Sequence, residues 1–453
     1  MNPLDLAYAL TIGPHFCWHR LITGRYGPKA MEKTGRVPDR FRSSATAAMG
    51  TGANFREFPC LWLHAVSVGE VVAGAELGKM FLADNSLWDI RVSTTTLTGR
   101  RVAEKHFGAE NVVYYPLDFS GMVARAFDRL RPALAVMMEL EIWPNFLDEA
   151  ARRGIPVAVA NARITEKSLR RLSLIPRVAR RMAMSVSEWY AQTPEYADRL
   201  RRLGVPEGRI EVTGSIKYDS VPETLNPEGG KFYRRLFGCG DLFLHEGGKT
   251  ALVVAGSTHP GEETAFLEAM RGAVPPGGAR PAVVLAPRHP ERLDEVERVA
   301  SGFGRVARRS RLGDCPPPGG NPEPGAGIFL LDTMGELMNI YAAADLAFVG
   351  GSLVNRGGHN FLEPCGLGKP TLVGPSLWNF TEPAELLLGL GFLRRVGGGG
   401  EELRLALREW LEHPAAAAAL GERARGELLK HRGATRRMAD RLRKLAGSRT
   451  ADA

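Results

Sequence analysis

The stretch LAFVGGSLVNRGGHNFLEPCGLGKPTLVGP, residues 346–375, decides how this chain folds. LAFV is short and apolar throughout, and TLV at 371–373 repeats the pattern. Between them stand two glycine pairs, Gly350-Gly351 and Gly357-Gly358, and then Asn360 with Glu363 three residues later, the spacing of a helix start. An apolar strand that passes through a glycine turn into a helix and then into another apolar strand belongs to a parallel sheet covered on both faces.

The same rhythm runs through the chain. Strand candidates are 61–66, 90–95, 112–115, 134–138, 156–159 and 210–213 in the first half, and 252–256, 282–286, 328–331, 346–349 and 371–373 in the second. Helical patterns such as 70–83 and 146–153 separate them. VPETLNPEGG, 221–230, is polar and rich in Pro and Gly, so it reads as a linker between two α/β domains of similar size, 26–220 and 231–453. Ligands of open α/β sheets sit beyond the carboxyl ends of the strands, which makes a cleft between two such domains the expected active site. SSATAAMGTGANFREF (43–58) and GDCPPPGGNPEPGAG (313–327) read as loops, and the basic segment 423–449 as a solvated helix face, with packing of the last helix back on the first domain as the other arrangement.

A length of 453 residues implies two or three domains, and 44% hydrophobic with 24% charged residues is globular rather than disordered. The net charge of +9 suits nucleic acid, anionic lipid or phosphorylated substrates alike. Five scattered Cys (17, 60, 239, 315 and 365) without a CxxC pair argue against a disulfide framework or zinc site. Residues 1–25 are apolar but broken by Asp5, Pro14, His15 and His19, and seven Lys and Arg follow within 20–42. Aromatic-apolar first and basic next is the order of a membrane-associating segment on an anionic face; the other reading is a core helix with a solvated basic loop.

Chemistry-bearing residues fall where strands hand over to helices. Thr333 and Glu336 in DTMGEL have capping-box spacing, so a helix should begin near Met334, its amides turned toward a ligand. Glu363 either satisfies a helix end or accepts hydrogen bonds from a ribose diol, with Arg288 of PRHPER as the second charge for phosphate or carboxylate. These describe a nucleotide site without GxGxxG or Walker loop, which disfavours a dehydrogenase or ATPase. HAVSVGE (64–70) and STTTLTG (93–99) offer hydroxyls and glycines suited to phosphate or sugar. In MELEIWPN, Glu139 and Glu141 point the same way at strand period, and GSIKYD sets Lys217 beside Asp219.

In these residues the chain resembles the 3-deoxy-D-manno-oct-2-ulosonic acid (Kdo) transferases of lipopolysaccharide synthesis. The matching strings run in one order: HAVSVGE, ELEIWPN, NARITEKS, VTGSIKYD, STHPGEE, PRHPER, DTMGEL and FVGGSLVNRGGHNFLEP. The resemblance implies a GT-B architecture, two Rossmann-like domains facing across a cleft, the first binding acceptor and the second CMP-sugar. It implies an inverting glycosyltransferase that moves Kdo from CMP-Kdo to a lipid A precursor and releases CMP, at the cytoplasmic face of the bacterial inner membrane. It implies Glu32 as general base, and Glu141 with Lys217 as stabilisers of the transition state. CMP contacts would come from Pro287, Arg288, Met334, Gly335, Glu336, Asn360, Phe361, Leu362 and Glu363, and acceptor contacts from Ser67, Gly69 and Glu70. No metal or other cofactor is expected, because basic residues and helix amides can carry the phosphate charge. The flanks of Glu32 (Met31, Lys33, Thr34) depart from the family's pattern, and Ser376 stands where the family often has His.

Two other readings exist. A GT-B transferase or epimerase using a UDP-sugar keeps the architecture and changes the donor. A nucleic-acid-binding protein would use the positive charge, but it calls for a basic stripe interleaved with aromatics, and the Arg-rich carboxyl-terminal segment has almost none.

Overall fold

In the computed structural model, residues 58–274, 279–313, 327–397 and 400–450 are described. They form two compact units, one of the chain up to Asp219 together with Gly433 onward, the other of Ser220–Arg432.

The first unit begins with β1 (Cys60–His64), all five residues buried, then α1 (Val68–Ala83), β2 (Asp89–Thr94) and α2 (Leu97–Phe107). It continues through β3 (Val112–Tyr114), α3 (Ser120–Leu130), β4 (Pro132–Met138), α4 (Pro144–Arg152) and β5 (Val157–Ala162). Helices α5 (Glu166–Ser173) and α6 (Pro176–Ser185) lead to β6 (Glu188–Ala191), α7 (Pro194–Leu203) and β7 (Ile210–Val212). The sheet is parallel, in the order β3-β2-β1-β4-β5-β6-β7. The order reverses between β1 and β4, the place where open parallel sheets bind ligands.

Alternation along β1 explains why an unbroken apolar run suits it. Trp62 turns to one face, against Phe127 and Phe146 at 5.2 and 5.0 Å. Leu61 and Leu63 turn to the other, with Phe81, Val92 and Val136. Burying an aromatic or aliphatic side chain of this size contributes about 2–3 kcal/mol, so both faces select apolar residues.

The second unit opens with α8 (Pro227–Leu236), β8 (Leu252–Thr258), α9 (Glu262–Ala273), β9 (Ala282–Pro287), α10 (Leu293–Ser301) and β10 (Val306–Arg308). Then come β11 (Ile328–Leu330), α11 (Leu337–Ala343), β12 (Leu346–Val349), α12 (Leu362–Gly366), β13 (Thr371–Val373), α13 (Thr381–Gly389) and β14 (Arg394–Arg395). Its sheet, again parallel, runs β10-β11-β9-β8-β12-β13-β14, reversing between β8 and β12. Helices α14 (Gly400–Glu412) and α15 (Pro414–Lys430) follow, and α16 (Ala434–Thr450) returns to the first unit.

Every strand expected from the sequence forms. Three more do too: β6, and the edge strands β10 and β14, which are two or three residues long and carry arginine, the kind of edge that apolar patterning does not reveal. The segment 221–230 is not wholly a connector, since α8 begins at Pro227 with Asn226 capping the Gly229 amide at 3.0 Å. Nor is the last helix a purely solvated face. On α16, Met438 and Leu442 are buried with Leu63 and Val136, Arg441 reaches Glu188 at 3.2 Å, and Arg443 reaches Asp84 at 2.6 Å. Residues 1–57, which include the membrane-associating segment and Glu32, lie outside the described residues, as does nearly all of 313–327. Among the described residues, no helix is long and apolar enough to cross a membrane.

Candidate active site at the strand ends

In the first unit, β1 ends in a turn whose polar groups close on themselves. Ser67 caps α1 by accepting from the Glu70 amide at 3.2 Å, while the Glu70 carboxylate accepts from the amides of Ser67 at 3.3 Å and Val66 at 3.0 Å. Thr94 and Thr96 both donate to the Val66 carbonyl at 3.1 Å. Gly99 leaves no room for a side chain, because a Cβ would lie 2.6 Å from the Thr94 hydroxyl. The hydroxyls expected to face sugar or phosphate in HAVSVGE and STTTLTG are therefore largely engaged in holding helix starts. The residues Ser67 and Glu70 stand in a capping box, and Gly69 beside them is uncrowded, with Ser67 Oγ 3.9 Å from where its Cβ would lie.

Beside this turn the sheet gathers charge. Glu139 follows β4 at φ 56°, its amide donating to the Ala160 carbonyl at 2.8 Å. The strand has ended, so Glu139 and Glu141 do not alternate as strand residues; the Glu141 amide turns back to the Met138 carbonyl. Burial, then the neighbouring Glu70, holds both carboxyls above their usual range. Lys217 and Arg163 pull Glu139 the other way, so the structure brings Glu141 and Lys217 into one cluster and adds Glu139 to it. Asn161, at φ 54° and buried, fixes the turn that carries Lys217: its Oδ1 accepts from the Ile216 amide at 3.2 Å, and its carbonyl accepts from Gln192 at 2.8 Å. Among the described residues, three of the four non-glycine residues at positive φ (Glu139, Asn161 and Ser257) lie at strand ends of this kind, where stored backbone strain marks functional segments.

In the second unit, β8 delivers His259 and β12 delivers the glycine pair. Glu262, 1% exposed, accepts from the amides of His259 (2.9 Å), Gly351 (2.7 Å), Ser352 (3.1 Å) and Leu353 (2.9 Å), locking the two loops together. Gly350 has to be glycine, since a Cβ there would lie 2.5 Å from the Ser257 carbonyl oxygen. The neighbouring Glu263 accepts from Thr258 at 2.8 Å and from Arg292 at 2.9 Å, so the second arginine of PRHPER is committed to the scaffold. Its first arginine is not. Pro287 ends β9, and the exposed Arg288 guanidinium has no ion pair or hydrogen bond among the described residues.

No motif or spacing in the sequence singles out the histidines here, although His259, His289 and His359 stand inside the matching strings. His259 and His359 approach Nε2 to Nε2 at 2.8 Å with parallel rings, and His289 meets His259 edge-on at 5.2 Å. Burial first, then His259, Arg288 and His289, pushes His359 down to about 4. Burial and His289 likewise lower His259. Glu363, pushed up by burial and drawn down by Asn360 and Arg288, accepts from Asn360 Nδ2 at 3.1 Å. The other end of that carboxamide, Asn360 Oδ1, is buried without a partner.

Two expected helix starts move. The helix after DTMGEL begins at Leu337 rather than Met334, because Gly335 adopts φ 87° and the Thr333 hydroxyl donates to the Glu336 carboxylate instead of receiving an amide. Glu336 is also paired with Arg309 at 3.0 Å, which leaves the exposed Met334 and Gly335 as the open part of that loop. Helix α12 begins at Leu362, with Phe361 rather than Asn360 at its cap position. The side chains of Phe361 and Leu362 are fully buried, so only their backbones can face a ligand. Lys369 of GLGKP lies over the Phe243 ring at 4.1 Å and is held down to about 8 by burial. Among the described residues, no three His, Cys, Asp or Glu side chains are grouped to hold a metal ion.

A family model described as 3-deoxy-D-manno-octulosonic-acid transferase matches residues 32–220. A 3-deoxy-D-manno-octulosonic acid transferase of Bordetella pertussis is 34% identical over 395 residues, spanning 84% of this chain and 86% of that protein. The chain belongs to the Kdo transferase family. A Kdo transferase of Haemophilus influenzae is 32% identical over 384 residues, with 84% of this chain and 86% of that one covered. The chain is therefore a glycosyltransferase, and its reaction is Kdo transfer in lipopolysaccharide biosynthesis. Among solved structures, Anabaena HepE with UDP and glucose superposes with a TM-score of 0.50 over 85% of this Kdo transferase and all of that chain. At 14% identity that likeness speaks for the fold alone, the GT-B class of glycosyltransferases and epimerases.

Proposed function

We propose that this Kdo transferase takes Kdo from CMP-Kdo and inverts the anomeric centre on transfer to a lipid A precursor. The observation that carries the donor half is Arg288, an exposed guanidinium without an ion pair or hydrogen bond among the described residues, within electrostatic reach of Glu363 and His359 at the carboxyl edge of the second sheet. A guanidinium placed there offers a planar fork to the CMP phosphate, where negative charge grows as the glycosidic bond breaks. Glu363, with Asn360 beside it, is suited to the ribose diol. In the first unit, Lys217 and the carboxyls of Glu139 and Glu141 supply a mixed-charge environment for the oxocarbenium character and carboxylate of Kdo. Glu32 takes the proton of the acceptor hydroxyl as its oxygen bonds to the Kdo anomeric carbon and CMP departs with the bonding electrons. No metal takes part in this scheme, since the phosphate charge is met by Arg288. Work would be done at the cytoplasmic face of the inner membrane, on a phosphorylated, acylated glucosamine disaccharide.

The test is incubation of the full chain with CMP-Kdo and a tetraacylated lipid A precursor, with product mass counting the sugars added. A parallel set replaces the donor by UDP-sugars. Transfer from CMP-Kdo that disappears in Glu32→Gln while CMP binding persists is the expected result. Turnover of UDP-sugars but not CMP-Kdo would overturn the donor assignment.

A further inference from the structure

The crossover from β5 to β6 is built from two helices with a corner between them. Pro176 opens α6 and cannot continue α5, so the chain turns at Leu174 and Ile175. Leu169, Ala179, Met182 and Ala183 face inward and join the core. The corner itself does not: Leu174 is 82% exposed, Ile175 49%, and Met184 at the far end of α6 46%. Around it, residues 167–187 hold Lys167, Arg170, Arg171, Arg177, Arg180 and Arg181, with no acidic and no aromatic residue. All six are exposed. Arg181 pairs with Asp148 at 2.8 Å and Arg170 acts on Glu166, whereas Arg171, Arg177 and Arg180 form no ion pair among the described residues.

We propose that the outward face of α5 and α6 is a docking surface for an anionic lipid bilayer, with the Leu174–Ile175 corner seated among the headgroups and the arginines on lipid phosphates. Charge complementarity selects the partner. A surface that is predominantly positive, with aliphatic tips and with Arg171, Arg177 and Arg180 outside any ion pair among the described residues, fits a negatively charged membrane face. A nucleic acid would call for aromatic stacking platforms, and this segment has none. The proposal rests on the reading above only in taking a membrane as the place of work. It is separate from the segment 1–25, and it concerns neither donor nor acceptor.

The experiment uses the full chain and vesicles of phosphatidylcholine with and without phosphatidylglycerol, containing no acceptor. Each arginine removed should weaken binding to anionic vesicles about fivefold at low salt, so Arg171, Arg177 and Arg180 together changed to Gln should weaken it roughly 100-fold. Leu174→Ser with Ile175→Ser should weaken it about tenfold. Transfer to acceptor dispersed in detergent should be unchanged in both variants, which separates this surface from the catalytic reading. To exclude anchoring elsewhere, Leu174→Cys is labelled with an environment-sensitive fluorophore in a chain carrying Cys17→Ser and Cys315→Ser; the other three cysteines are buried. A blue shift on anionic vesicles that added salt reverses supports the proposal. Equal vesicle binding by all variants, a label that stays in water on bound vesicles, or arginine-dependent binding of RNA in place of lipid would each overturn it.

Discussion

The imidazoles of His259 and His359 meet Nε2 to Nε2 at 2.8 Å, so one of the two nitrogens donates and the other accepts. Both cannot carry a proton at once. Burial first, and then the positive charge of Arg288 near His359 and of Arg356 and Arg292 near His259, disfavours protonation of the pair.

Stability should record that neutrality. His359 binds its proton at about 4 in the fold against 6.5 in the unfolded chain, so protons favour the unfolded state. Its contribution is complete above pH 6.5 and is lost as the pH falls toward about 4. The thermal midpoint of the native protein should fall more steeply over that window than that of His359→Gln, by about 3 °C. Superimposable acid profiles would remove the pair from the stability account.

Glu262 holds four amides that have no other acceptor among the described residues. Glu262→Ala leaves them buried and should cost about 3 kcal/mol or more, lowering the midpoint by roughly 10 °C in calorimetry. Glu262→Gln keeps one acceptor oxygen and should lose less. If the alanine variant melts like the native protein, the two loops are held by something else.

Arg288→Ala should leave the midpoint within about 1 °C, because the side chain is exposed and forms no ion pair or hydrogen bond among the described residues. CMP binding should weaken by roughly 10- to 100-fold, the worth of a charge-assisted contact to phosphate. Calorimetric titration with CMP measures it, and unchanged affinity would place the phosphate elsewhere.

Lys217 and Asn161 should separate by mechanism. Without Lys217 a cation that lowers the Glu139 carboxyl is lost, so in Lys217→Met the acid limb of the pH–rate profile should move to higher pH and the rate fall about 100-fold. Asn161→Ala frees the Ile216 amide and lets the turn bearing Lys217 move. Transfer should drop about tenfold with CMP affinity unchanged. A variant with weaker CMP binding and normal transfer would contradict a positioning role.

Much of the fold was legible because its signals are local. An unbroken apolar run such as LAFV or LWLHAV states that both faces of a strand are covered, and the glycines after it state that backbone must approach backbone. Helix starts were less legible. Asn360 and Thr333 have cap spacing, yet both turn their side chains to a carboxylate, Glu363 and Glu336, because a side-chain partner three residues away competes with the amide. The same spacing at Ser67 and Glu70 does make a capping box, so the pattern identifies candidates and the surrounding turn decides among them.

Taken alone, the order of residues settled the parallel α/β class, the family, and the strand ends where chemistry gathers. The class and the strand ends follow from periodicity and turn preference, which depend on neighbours a few positions away; the family follows from strings matched in one order. Tertiary structure decided which groups remain available to a ligand. It gave Glu262 to the loop of Gly351, 89 residues on, and matched His259 with His359 across 100 residues. It also engaged Arg292 with Glu263 while leaving Arg288 without an ion pair among the described residues. Such pairings are set by sheet order, which brings β8, β9 and β12 side by side, and no spacing along the chain encodes that adjacency.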